Sequence, residues 1–119
     1  SPEKLAQLEK YLARRGVTLK VGDEYLQLNK AGAFNAAKGE LYLRSNPTQY
    51  EVWHELSHFI QYRKIGVEAY RALPRTLSHN APEQFVFDLL ENSPKRWNAL
   101  TFEEQQHAIR YIEKIGGFR

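Results

Sequence analysis

The chain has 119 residues, a formal net charge of +3 and no cysteine, with 42% apolar and 26% charged residues. That balance suits one packed globule, and without thiolates any metal must be held by histidine and carboxylate. Lysine and arginine are scattered rather than clustered, which argues against nucleic acid as a partner, and no apolar run approaches the ~20 residues of a membrane span. There is no signal-peptide pattern, and methionine is absent even at position 1, which reads as an excised piece of something longer.

Ser1, Pro2 and Glu3 read as cap, first helical position and first-turn acid, and Leu5, Leu8 and Leu12 follow at helical spacing until Gly16. VTLKV (17–21) alternates as a strand does. AFNAA and ELYLR flank Lys38 and Gly39 as the arms of a hairpin, so a small antiparallel sheet is expected. Asn46-Pro47-Thr48-Gln49 supplies a cap, a first-position proline and a glutamine set to close a capping box. It predicts a helix running to about Ile65, ahead of Gly66. Val52, Trp53, Leu56, Phe59 and Ile60 form its apolar stripe, while His54, Glu55, His58, Gln61 and Tyr62 share another face, turned toward something polar.

Residues 73–82 (LPRTLSHNAP) read as a loop, and a second helix starts near Pro82. A last helix follows the capping-box pair Thr101 and Glu104, with Phe102, Ile109 and Ile112 along one side and Gly116 and Gly117 at its end. No repeat or linker divides the chain, so the expectation is one α+β domain over residues 1–119: a small sheet or hairpin packed on a central helix with two or three further helices.

The chemistry concentrates in HELSH, residues 54–58. Two imidazoles four residues apart on a helix point the same way, close enough to share one ion that wants about four ligands in a tetrahedron. Glu55 lies beside them, oriented to reach a metal-bound water rather than the metal, which is where a general base belongs. Gln61 and Lys64 occupy the places where an extended motif would put glycine and a third histidine, so a third ligand must come from downstream. Glu83 is the leading choice, because it sits on the apolar face made by Val86, Phe87 and Leu90, where a bound cation would account for a carboxylate. The alternative for Glu83 is the acid of a capping box begun by Asn80. His79 is the fallback ligand, or a group that stabilises the developing oxyanion as part of the catalytic set.

Tyr62, Tyr70, His107 and Tyr111 can each offer a proton to a tetrahedral intermediate, although packing in the core or at the rim is the plainer role. Asp88 can orient a ligand histidine or stand as an exposed helix acid, and Trp97 reads as core. If ELYLR is an edge strand beside the central helix, an extended polypeptide substrate can add to it.

HELSH on a helix after a hairpin, with a later glutamate in PEQFVFDLL, resembles the zincin metallopeptidases whose third ligand is glutamate. More narrowly, YEVWHELSHFIQY, then EQFVFDLL, then EEQQHAIRYI is similar to the zincin-like metallopeptidase toxin domains (the type 4 group) found at the C-terminal ends of bacterial polymorphic toxins. The likeness covers about residues 15–115. It implies a minimal zincin-like domain with Zn2+ held by His54, His58 and Glu83, and Glu55 as base. It also implies secretion within a larger toxin, delivery into a target cell's cytoplasm, and a cognate immunity protein in the producer. In the better-known glutamate zincins a supporting aspartate follows the ligand by four residues; Phe87 stands there, with Asp88 one later. An intracellular regulatory zinc protease is the alternative within the same chemistry, and a non-enzymatic binding module with an incidental histidine pair the alternative outside it.

Overall fold

The computed structural model describes residues 1–119, which divide into two compact units, Ser1–Glu55 and Leu56–Arg119, with the boundary inside one continuous helix. In the first unit, helix α1 (Pro2–Ala13) starts where the Ser1 hydroxyl accepts from the Lys4 N–H at 3.3 Å. It buries Leu12 completely and leaves Leu5 and Leu8 half-buried. Strands β1 (Thr18–Val21), β2 (Gly32–Asn35) and β3 (Glu40–Leu43) form a three-stranded sheet in the order β1-β3-β2. Leu12, Val17, Leu19, Leu41 and Leu43 make this unit's core.

The β2–β3 hairpin is antiparallel, with Ala33 opposite Tyr42, and it turns through Gly39 at φ 65°, a left-handed conformation that suits glycine. β1, in contrast, runs parallel to β3, with Leu19 opposite Leu41, so the sheet is mixed rather than wholly antiparallel. Alternation in VTLKV specifies which side chains face inward but not the direction of the neighbouring strand. Residues 22–31, which include a 3-10 turn at Asp23–Tyr25, separate β1 from the hairpin, and β2 joins on the far side of β3. ELYL is therefore the central strand, so the condition under which a substrate could add to it is not met; β1 and β2 are the edges.

Helix α2 (Gln49–Ile65) carries HELSH. Its cap is Thr48 rather than Asn46, which adopts φ 52° outside the helix. The Thr48 hydroxyl accepts from the Glu51 N–H at 3.1 Å, and the Glu51 carboxylate accepts from the Thr48 N–H at 2.9 Å, a reciprocal capping box. Arg44, just past β3, donates to the same carboxylate at 2.8 Å and so ties the strand's end to the helix start.

The second unit holds helices α3 (Val67–Arg71), α4 (Ala81–Glu91), α5 (Pro94–Ala99) and α6 (Phe102–Ile115). With α1 and α2 these make six helices in an α+β chain, two more than the sequence pattern indicates. The additions, α3 and α5, have 5 and 6 residues, too few for a helical period to stand out. Phe59, Tyr70, Val86, Phe87, Leu90, Leu100, Ala108 and Ile112 are buried here. Trp97 is half-buried, edge-on to Phe87 with ring centroids 6.1 Å apart. Thr101 and Glu104 form the expected capping box, whereas Phe102, the first residue of α6, is exposed. Gly116 closes α6 at φ 105°, and a Cβ there would lie 2.1 Å from the Thr76 carbonyl oxygen.

Burial raises the pKa of the Glu51 carboxyl, but Arg44 and the Thr48 N–H together outweigh it and hold the group below its ordinary value. Its stabilising effect is therefore complete above the ordinary carboxyl pKa and fades as pH falls through the lowered one. Glu51→Ala should cost about 1 kcal/mol of unfolding free energy near neutral pH, and urea titrations should show the difference from the unaltered protein shrinking toward zero in acid.

Candidate metal centre

Helix α2 buries Phe59 of its expected apolar stripe but does not otherwise divide its faces as expected. Leu56 and Ile60 are only half-buried, whereas Glu55, Ser57, His58 and Gln61 are buried. Polar groups inside a protein cost free energy unless partners meet them there, so the partners on this face decide what it is for.

His58 is engaged through both ring nitrogens. Its Nε2 lies 3.1 Å from Glu83 Oε2, and its Nδ1 lies 3.3 Å from the Tyr70 hydroxyl. Glu83 is in the first turn of α4, where its N–H reaches the Asn80 side chain at 3.3 Å. The Asn80 N–H, however, goes to the Gly116 carbonyl oxygen at 2.9 Å, so the second bond of a capping box is not made there. The helix is capped by Asn80, and the Glu83 carboxylate is directed to His58 instead.

His54 is one turn before His58 on the same helix, and the ligand atoms of His54, His58 and Glu83 all lie within 4.8 Å of one another. A tetrahedral zinc with bonds of about 2.0–2.1 Å would space its ligand atoms by ~3.3 Å. The His58–Glu83 separation is already close to that value. Two imidazoles and one carboxylate also match the donor chemistry of a site that leaves a position open for water. One turn further along, the buried Gln61 has its Oε1 without a hydrogen-bond partner. This face thus carries polar burial that packing alone does not repay. The residues fit a divalent metal.

Glu55, between the two histidines in sequence, is 7% exposed. Its carboxylate lies against Gly32 at the start of β2: a Cβ on Gly32 would sit 2.7 Å from Glu55 Cγ and 2.9 Å from Oε2. The glycine leaves room for the acid beside the edge strand.

The family model for metallopeptidase toxin 4 matches residues 1–117. The chain belongs to that family. No curated protein and no solved structure matched it. Membership in the metallopeptidase toxin 4 family implies a hydrolase of polypeptides that works with a metal ion, and His54, His58 and Glu83 form a cluster able to bind one. A toxin domain suggests a secreted or delivered effector; no helix is long and apolar enough to cross a membrane.

Other residues singled out in the sequence fall elsewhere. His79 is exposed in a turn where its N–H and carbonyl both bond to Thr76, and it is not one of the clustered trio. Asp88 is exposed and accepts from Gln84 Nε2 at 2.9 Å, one turn back on α4, so it does not orient a ligand histidine. His107 and Tyr111 stack on each other along α6, with centroids 6.1 Å apart. The residue at His58 Nδ1 is Tyr70, which the sequence offered only as one of several proton donors. It lies on α3, whose five residues gave no warning of a helix.

Gly32→Ala should displace the buried Glu55 side chain or push β2 off the Tyr42 carbonyl, which a Cβ would approach to 3.0 Å. Overpacking of this kind costs about 1–3 kcal/mol, measurable as an earlier urea midpoint.

Proposed function

We propose that this member of the metallopeptidase toxin 4 family is a zinc-dependent peptidase acting as a toxin, a single zincin-like domain over residues 1–119. The observation that carries the reading is the convergence of His54 and His58, on the helix that also bears Glu55, with Glu83 of α4, their donor atoms all within 4.8 Å of one another. In it His54, His58 and Glu83 hold Zn2+, which when bound polarises the scissile carbonyl and lowers the pKa of its water toward neutrality.

The chain's own residues do the rest. Glu55 Oε takes the water's proton and passes it to the leaving amine, a transfer favoured by the acid's fixed place against Gly32. Burial of Glu55 at 7% exposure keeps bulk water from competing for that proton. The polypeptide substrate adds to the edge strand β2 as an extended segment, which brings its backbone alongside Glu55. Stabilisation of the oxyanion falls to His79, on an exposed turn. A larger secreted protein delivers the domain into the cytoplasm of a target cell, and a cognate immunity protein protects the producer.

Purified protein should carry about one zinc per chain by elemental analysis and should hydrolyse a denatured protein substrate. Glu55→Gln should keep the zinc and lose activity by roughly 10²–10⁴-fold, since it removes the proton carrier and spares the ligands. Glu83→Ala should lose the metal itself. A protein free of zinc, indifferent to chelators and inert toward polypeptides would instead be a binding module with an incidental histidine pair.

A further inference from the structure

We infer that Tyr70 is a positioning residue for the metal: its hydroxyl holds the His58 imidazole so that Nε2, not Nδ1, faces Glu83 and the ion. The inference rests on the zinc-binding reading above and deepens it. A histidine that ligates through one nitrogen is oriented by whatever its other nitrogen bonds, and that bond fixes both ring rotation and tautomer. For His58 the available orienting acid, Asp88, is turned to solvent and bonded to Gln84. The group found at Nδ1 is the Tyr70 hydroxyl, at 3.3 Å.

A phenol suits the place. It both donates and accepts, so it can meet Nδ1 whether the ring proton sits on Nε2 toward Glu83 or on Nδ1 with Nε2 given to a cation. A carboxylate at the same point would bring a second negative charge into a buried site.

Tyr70 is itself held on several sides. It is 5% exposed, with the Tyr62 ring edge-on at 6.1 Å and the Arg75 guanidinium 5.1 Å from its ring centre. Arg75 also donates to the carbonyls of Tyr70, Arg71 and Leu73 at 3.0, 3.1 and 2.9 Å, gathering the C-terminal end of α3. The same arginine forms a β-bridge with Asn80, the cap of α4, three residues before Glu83. One short segment therefore sets both the tyrosine that orients His58 and the glutamate that shares its metal.

The test is Tyr70→Phe, which keeps the ring and removes the hydroxyl. Zinc affinity, measured by competition with a chromophoric chelator, should fall roughly ten- to a hundredfold, while far-UV circular dichroism shows the metal-free variant still folded. Equal affinity in the two proteins overturns the inference and leaves the zinc reading standing; a wild-type protein that binds no zinc overturns both. Should the variant fail to fold, the wild-type protein still decides: imidazole ¹⁵N spectra of the zinc-loaded protein should show His58 protonated at Nδ1 and coordinated through Nε2, and coordination through Nδ1 overturns the inference.

Discussion

Both nitrogens of His58 are taken up inside the protein, Nε2 by Glu83 from α4 and Nδ1 by Tyr70 from α3. An imidazole can be buried at 6% exposure only if both polar edges are met, so these two bonds fix the places of the helices that supply them. The rest of the second unit is arranged around that demand. Phe59, on the next face of α2, is buried with Val86, Phe87 and Leu90 among the unit's core residues, while the polar side of α2 is the one that requires particular partners.

Asn80 shows how Glu83 is released for this task. Its side chain satisfies the Glu83 N–H, and its own N–H is satisfied by Gly116 at the end of α6, so the carboxylate is not needed at the helix terminus. The Asn80 side chain also donates to the Ile115 carbonyl at 3.3 Å. Gln84 continues the connection by exchanging hydrogen bonds with the backbone of Phe118 at 2.8 and 2.9 Å. The close of α6 thus anchors the start of α4, and the left-handed glycine at 116 leaves room for the Thr76–Leu77 backbone that precedes α4.

Within the first unit the equivalent device is Gly32. A side chain there would overlap Glu55, so the absence of a Cβ gives the buried acid its place against the edge strand. Arg44 and Glu51 secure the join between β3 and α2 about one turn before Glu55, where the capping box sets the register in which His54 and Glu55 emerge.

Much of this is legible in the chain itself. Proline and serine at the first helix, the Thr101–Glu104 pair, the hairpin glycine and the spacing of HELSH are local signals, each written within a few residues, and local hydrogen bonding and helical period decode them. The same holds for the α+β class and for the family. The cap at Thr48, the parallel pairing of β1 and the short helices α3 and α5 are not legible, because each turns on contacts far apart in sequence or on too few residues to show a period. The sequence by itself determined that His54 and His58 share a helical face. Only the tertiary structure decided that this face lies inside, that Glu83 reaches it while Asp88 does not, and that Tyr70 stands behind His58, since a buried polar group takes its partners from whatever elements packing brings within about 3 Å.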